Sequence, residues 1–268
     1  IDTVCRHMGF LFPAGSTYFT EIAKFRAART LWAHIIESYG PGDESSKIMH
    51  IEAETSLWNK SIYDPYVNLI RGTVEAMAGI MGGVSSMTVF PFNYTYKKQD
   101  EFSQRMARNT QLILKNESYL DKVIDPSAGS YYIEQLTDKI SHKAWDIFLQ
   151  TEKAGGLKEA ARSGFVQTEI ENTRLSRDID IATRKVSFIG VNQYPSSEKK
   201  MAGKIEETEY GTELNSDNGS VPRTGSFQDM VTYLSEQGGG IERLIDYDGG
   251  NHGEDFRPLT QYRGMEAF

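Results

Sequence analysis

The stretch that decides the fold runs from Asp64 to Gln111. It reads DPYVNLIRGTVEAMAGIMGG over 64–83, SSMTVFPF over 85–92 and DEFSQRMARNTQ over 100–111. Apolar residues recur three and four positions apart in the first and third segments, as on one face of a helix, whereas the middle segment is rich in Val, Phe and Thr. The pattern predicts a helix, a buried strand and a second helix.

The ends of these helices carry their own signals. Asp64 followed by Pro65 is typical of a helix start, with the carboxylate as N-cap and the proline at the first helical position. The pair Gly82-Gly83 predicts the end of that helix. Asp100 is the expected N-cap of the next helix, which should run to about Asn116.

The same alternation extends on both sides of this stretch. Further strands are predicted at Phe10–Ala14, Lys47–Glu54 and 122–125, with a last strand-like piece at 188–192; further helices are predicted at 17–39, 133–152 and across the charged region 157–184. Four short strands that are each followed by a helix indicate parallel βα units. Four such units are half of an eight-stranded barrel or one flank of an open sheet, and the pattern alone fits either.

Composition excludes several classes of protein. The 268 residues carry a net charge of -8 with a pI near 5.3, which argues against a nucleic-acid partner. The single cysteine, Cys5, excludes an internal disulfide, and no apolar run approaches the length of a membrane span. A cytoplasmic setting is therefore expected. The chain starts at Ile1 and soon enters an apolar segment, so we expect a piece whose amino-terminal portion is missing.

The carboxy-terminal quarter differs in composition from the rest. Residues 196–225 are polar and charged with few large apolar side chains, which is typical of a linker. Ser226 then precedes a short amphipathic pattern, and residues 244–268 are rich in Gly, Asp and Tyr. We therefore predict a domain over 1–195 and a linker and connector over 196–268.

Seven segments resemble one known family, in its order and at roughly its spacing. They are TEIAKFRAARTLWAHI (20–35), SLWNKSIYDPYVN (56–68), EAMAGIMGG (75–83), RMARNTQ (105–111), VIDPSAGSYYIEQLT (123–137), EKAGG (152–156) and IGVNQY (189–194). Together they are similar to the substrate-binding domain of the methylmalonyl-CoA mutase family. The resemblance implies an α/β fold, the second half of a (β/α)8, TIM-like barrel of the cobalamin-dependent type, with 196–268 leading toward an absent C-terminal cobalamin-binding-like domain.

The resemblance also marks three positions in the substrate pocket, and all three depart from the catalytic pattern. Catalytic members place a histidine six positions before the tryptophan of a Thr-Ser-Gly-Trp stretch, where it hydrogen-bonds the substrate's thioester carbonyl; here that position is Glu52, before Trp58. Their Ser-Leu-His-Thr-Asn run has become Ser-Met-Thr-Val-Phe, so that Thr88 and Phe90 replace the His and the Asn. An ionised carboxylate cannot donate the missing hydrogen bond. We therefore assign no catalytic residue to this chain.

The cofactor motif of the family is also absent. Its cobalt-ligating histidine lies in Asp-x-His-x-x-Gly, whereas His252 has neither the Asp nor the Gly at those spacings. These departures resemble the small, non-catalytic subunit of heterodimeric bacterial mutases. The resemblance then implies a large-subunit partner that carries adenosylcobalamin, and a role in the interconversion of methylmalonyl-CoA and succinyl-CoA in propionate metabolism.

Two alternative functions remain open. The chain could belong to a divergent catalytic mutase for another acyl-CoA, with Glu52 and Thr88 reshaping the pocket, or it could bind CoA without turning it over. Arg105 and Arg108 could then meet a CoA phosphate, although surface salt bridges are the simpler interpretation.

Two further groups have a simpler structural interpretation. His50, Glu52 and Glu54 share a strand face and could hold a metal, although a polar strand face is the plainer interpretation and no metal is predicted. Asp125, before Pro126, is expected to cap a turn rather than to contact substrate.

Overall fold

The computed structural model describes residues 1–195, so the predicted linker, the pattern after Ser226 and the connector lie outside the described residues. The elements are α1 (Asp2–Cys5), β1 (Phe10–Ala14), α2 (Tyr18–Ser38), a 3₁₀ helix (Glu44–Lys47), β2 (Ile51–Thr55), α3 (Val67–Met81), β3 (Ser86–Thr88), α4 (Glu101–Asn116), α5 (Tyr131–Lys153), α6 (Leu157–Arg162) and α7 (Phe165–Ala182). The mixed α/β class is confirmed. No helix among these residues is long and apolar enough to cross a membrane.

The sheet has three parallel strands in the order β1-β2-β3. Phe10 pairs in register with Ile51, and Glu52 and Glu54 of β2 pair with Ser86 and Thr88 of β3. Parallel neighbours need a crossover between them, and α2 and α3 provide it. The predicted βα rhythm is confirmed for these three units, although β2 begins at Ile51 rather than Lys47 and β3 ends at Thr88 rather than Phe92.

The fourth predicted strand is wrong. Residues 122–125 form turns, with Val123 61% and Ile124 97% exposed, so they are neither paired nor buried. Asp125 has a φ of +45°, which an extended strand cannot include. The Arg26 side chain of α2 holds this turn: its Nε and Nη2 donate to Asp125 Oδ2 over 3.2 and 3.1 Å. This ion pair joins residues 99 positions apart, so no local pattern could have predicted it.

Two other predicted elements differ from the structure. Residues 188–192 do not form a strand, and Ile189 makes only an isolated bridge with Gln193. The Asn192 side chain explains the turn, since its Oδ1 accepts from Phe188 N at 2.7 Å and its amide donates to the Val186 carbonyl. Helix α3 begins at Val67, three residues after the predicted cap Asp64.

One face of the sheet packs against helices. We call it the covered face; the side chains that alternate onto it and form its buried core are Ala14, Ile51 and Ala53, and Phe10, Phe12 and Met87 pack against them. Phe25 of α2 is fully buried there, with its ring 6.3 Å from that of Phe12, and Trp32 of α2 meets Phe10 at 4.8 Å. Two further clusters extend this core: Ala76, Val89, Ala107 and Leu114 between α3 and α4, and Ile22, Ala78 and Ile133 where α5 begins.

A glycine permits the close approach of α2 to the end of α3. A Cβ on Gly82 would lie 2.7 Å from Phe25 Cδ2, closer than two carbon atoms can come. Arg29 of α2 completes the junction, because its Nη1 donates to the carbonyls of Gly82 and Gly83 at 2.7 and 3.0 Å. Gly83 has a φ of +75°, as expected at the end of a helix, so the predicted glycine cap is confirmed.

The chain divides into two compact units. The first comprises 1–56, 68–92 and 99–150, and contains the sheet; of the described residues, the second comprises 57–67, 93–98 and 151–195. The second unit has its own small core of Ile181 and Phe188 with Trp58 and Val191 packed against them. Arg177 lies 5.0 Å above the Trp58 ring, in the geometry of a cation–π contact.

Candidate functional site

The second face of the sheet carries two of the three predicted pocket positions, Glu52 and Thr88. We call it the open face; its residues are Leu11, Pro13, Glu52, Glu54, Ser86 and Thr88. Five of them are exposed and only Glu54 is half-buried. Because side chains alternate along a strand, the buried residues Ile51, Ala53 and Thr55 necessarily place Glu52 and Glu54 on this side.

The structure brings Glu52 and Thr88 onto the same face, but not directly opposite one another. Glu52 is in register with Ser86, and the residue beside Thr88 is Glu54. Neighbouring strands lie about 4.8 Å apart, so Glu54 is the nearer carboxylate to Thr88. The alternation along β2 predicts from sequence that Glu54 lies on this face, but the sequence analysis does not assign Glu54 to the pocket. The register between β2 and β3 places Glu54 beside Thr88 and so adds it to the candidate site.

The two carboxylates have no partner of opposite charge within residues 1–195. Neither forms a hydrogen bond or an ion pair there, and burial raises the pKa of Glu54 above its ordinary value. A partly desolvated carboxylate without a donor is costly, and charged groups in such places are common at functional sites. The open face is therefore negatively charged along its central strand.

Phe90 lies just beyond the last residue of β3. It is half-buried, and its backbone N–H donates to Thr55 Oγ1 at 2.9 Å. Thr55 is fully buried, so this bond continues the attachment of β3 to β2 after the strand ladder has ended. Glu52 lies near the amino end of β2, whereas Thr88 is the last residue of β3 and Phe90 follows it by two residues. Thr88 and Phe90 therefore lie at the carboxyl end of the parallel sheet, which is where α/β proteins bind ligands.

The other candidate residues lie elsewhere. Arg105 and Arg108 are exposed on α4, one helical turn apart, and neither forms an ion pair with the residues that the structure describes. The surface salt bridges expected as the simpler interpretation are therefore not found in this part of the chain. His50 is exposed before β2 begins, and no group of three His, Cys, Asp or Glu side chains among residues 1–195 could hold a metal ion. His252 lies outside the described residues.

Asp125 does more than cap a turn. Besides Asp125, Arg26 binds Glu134 Oε1 at 2.8 Å and Thr137 Oγ1 at 3.3 Å, so one guanidinium joins α2, the turn and α5. These hydrogen bonds, first of all the one to Glu134, raise the pKa of Arg26. Asp125 Oδ1 is buried without a hydrogen-bond partner in the described residues. This cluster attaches α5 to the sheet unit and gives Asp125 a structural role.

Comparison with known proteins identifies the family. The family model described as methylmalonyl-CoA mutase matches residues 1–218. The chain belongs to the methylmalonyl-CoA mutase family. The seven segments that resembled this family thus lie within one continuous match, of which residues 1–195 are described structurally.

Relatives with established names refine the comparison. The methylmalonyl-CoA mutase small subunit of Porphyromonas gingivalis is 48% identical over 206 residues, which cover 76% of this chain and 33% of that protein. The small subunit of Streptomyces virginiae is 40% identical over 195 residues, covering 73% of this chain and 31% of the relative. The large subunit of the Porphyromonas enzyme is 34% identical over 194 residues, covering 72% and 27%. This chain therefore spans about a third of the length of the curated relatives it matches.

Proposed function

We propose that this chain is part of the small subunit of a methylmalonyl-CoA mutase and that it does not itself carry out the rearrangement. The observation that carries the proposal is a contrast within one organism. Identity to the Porphyromonas small subunit is 48%, against 34% to the large subunit, over nearly the same stretch of this chain. The chain is thus more similar to the small subunit of that organism than to its large subunit.

The residues at the three pocket positions support the non-catalytic role. Where the resemblance expects a histidine that donates to the thioester carbonyl, Glu52 offers only acceptor oxygens when ionised. Thr88 and Phe90 replace a second histidine and an asparagine on the neighbouring strand. Loss of one group could be a change in substrate preference, but the loss of polar identity on two adjacent strands favours loss of the chemistry.

The parallel sheet supports the barrel part of the proposal. We infer that β1, β2 and β3 correspond to consecutive strands of a (β/α)8 barrel, with α2, α3 and α4 on its outside. In this arrangement the covered face meets the outer helices, and the open face looks into the barrel, where parallel barrels place their inward-pointing residues.

The cofactor belongs to the same proposal. Adenosylcobalamin would supply the radical chemistry of the holoenzyme. None of the five histidines of this chain lies in an Asp-x-His-x-x-Gly motif, so the residues present do not fit the cobalt-ligating site that the resemblance describes. We therefore assign the cofactor to the large subunit and derive no step of the reaction on this chain.

The partner is then a catalytic large subunit in a cytoplasmic heterodimer. Obligate complexes bury about 2,000 Å² or more in total. Sedimentation of the chain mixed with a mutase large subunit at micromolar concentration tests this: we expect a stable complex that co-purifies. Two separate species would contradict the proposal and favour the divergent mutase. Tight CoA binding by the chain, without turnover, would favour the CoA-binding module.

A further inference from the structure

The two carboxylates of the open face occupy its centre. Glu52 and Glu54 are two positions apart on β2, the middle strand, so their Cα atoms lie about 6.6 Å apart. Their register neighbours are Leu11 and Pro13 on β1 and Ser86 and Thr88 on β3, all of which are uncharged. The charge of the described part of this face is therefore entirely negative and concentrated on one strand.

Two basic side chains of α2, Lys24 and Arg29, are already engaged. Lys24 reaches the sheet at the Pro13 carbonyl, to which its Nζ donates at 2.6 Å, and it also forms an ion pair with Glu21. Arg29 is bound to the carbonyls at the end of α3. Neither can neutralise Glu52 or Glu54 without giving up these contacts. The negative potential of the open face is thus uncompensated within residues 1–195.

We propose that Glu52 and Glu54 together determine ligand specificity by excluding anionic acyl-CoA molecules from the open face. This inference rests on the proposed function, because it takes CoA thioesters as the class of ligand that this face would otherwise meet. Such ligands carry phosphates, and methylmalonyl-CoA carries an acyl carboxylate as well. Like charges held on a partly dehydrated surface repel more strongly than in bulk water. The two carboxylates thus repel anionic ligands, in addition to lacking the hydrogen-bond donors that would bind them.

The half-buried position of Glu54 strengthens this argument. Its carboxylate is less hydrated than that of exposed Glu52, so water screens it less effectively. Glu54 also lies beside Thr88, one of the positions where catalytic relatives are expected to bind substrate. A ligand that approached the end of β3 would meet Glu54 first. Each of the two carboxylates contributes one negative charge to the open face, so a test must replace Glu52 and Glu54 together.

The test measures binding of two probes to the full chain and to a Glu52→Gln/Glu54→Gln variant. Coenzyme A is the anionic probe, and pantetheine, which lacks the phosphates, is the uncharged one. At low salt we expect the variant to bind coenzyme A about tenfold more tightly than the unchanged chain does. Binding of pantetheine should change by less than about twofold, because it carries no charge for the carboxylates to repel. At about 0.5 M salt the gain for coenzyme A should shrink, since screening acts on exposed charges.

A control variant, Glu152→Gln/Glu169→Gln, removes the same two charges from exposed positions on α5 and α7. It should leave the affinity for both probes unchanged, and circular dichroism should show the same helix content in all three proteins. An equal gain in the control, or no gain in the Glu52→Gln/Glu54→Gln variant, overturns the proposal. The second outcome includes the case in which no protein binds coenzyme A. Assembly with the large subunit is measured separately, so failure of the exclusion and failure of the proposed function remain distinguishable.

Discussion

The two faces of the three-stranded sheet differ in burial and in charge. The covered face is built from Ile51, Ala53 and Thr55, which are all at most 1% exposed, and it packs against α2 with well-matched aromatic contacts. The open face alternates with it residue by residue along the same strands and carries Glu52 and Glu54 without a cation among residues 1–195. A single strand therefore holds its packing residues on one side and its charged residues on the other.

This division has a physical basis. A substitution on the covered face creates a cavity or a clash in a close-packed interior, so it is costly wherever the chain functions. A substitution on the open face leaves the fold nearly unchanged and alters only what the surface can bind. The covered face is therefore required for the fold, whereas residues of the open face can change with little effect on stability.

The largest effect should come from truncation on the covered face. Ile51→Ala removes a side chain that is 1% exposed, so we expect the free energy of unfolding to fall by about 3 kcal/mol. The matched change on the open face, Leu11→Ala, removes a side chain that is 62% exposed and should cost less than about 1 kcal/mol. Urea denaturation measures both. Equal losses would show that the two faces are buried alike and would break the comparison.

A smaller effect should come from an isosteric pair of threonine variants. Thr55→Val removes the hydroxyl that accepts from Phe90 N–H, which leaves that donor unpaired, and should cost about 1–2 kcal/mol. Thr88→Val makes the same chemical change at an exposed strand position and should alter stability by no more than about 0.5 kcal/mol. The same denaturation curves give the answer. A loss at Thr88 as large as that at Thr55 would mean that the open face is also structurally required.

The smallest effect should appear in the pH dependence of stability. Burial raises the pKa of Glu54 above its ordinary value of 4.5, so ionised Glu54 destabilises the fold at neutral pH. That cost disappears when the pH falls below 4.5, where Glu54 is protonated in both the folded and unfolded states. Glu54→Gln should therefore be more stable than the unchanged chain at neutral pH and equally stable in acid.

Ionised Glu134 should have the opposite effect on stability from ionised Glu54. The hydrogen bond from Arg26 and that from the Gly129 N–H lower the pKa of Glu134, so its contribution is present above its ordinary value of 4.5 and is lost as the pH falls through the lowered pKa. Glu134→Gln should be less stable than the unchanged chain at neutral pH, and the difference should vanish in acid. If both variants shift stability in the same direction, the electrostatic account of the open face is wrong.

The sequence predicts the bounds of a helix or strand correctly where residues next to its ends determine them. Asp100 is the N-cap of α4, its carboxylate accepts from Ser103 N, and the helix ends at Asn116 as the sequence predicts. Strand β1 coincides with its predicted bounds for a similar reason, since Gly15 and Ser16 follow it directly. Residues 122–125 failed because a distant residue, Arg26, decides their conformation.

The candidate site was predictable to the extent that it depends on alternation along one strand. The period of two placed Glu52 and Glu54 on the same face, and the structure confirms it. Which residue of β3 lies beside which carboxylate depends on the register between strands, and a single sequence contains no signal for that. Only the structure shows that Thr88 lies beside Glu54, and this position is what makes Glu54 part of the candidate site.

The most direct test of the central claim is an assay of this chain for methylmalonyl-CoA turnover. The purified chain, supplied with adenosylcobalamin and methylmalonyl-CoA, should form no succinyl-CoA, and Glu52→His should not restore activity because Thr88, Phe90 and the missing cofactor motif remain. A large subunit assayed alongside provides the positive control. Succinyl-CoA formation by this chain alone, abolished in Glu52→Gln, would contradict the account.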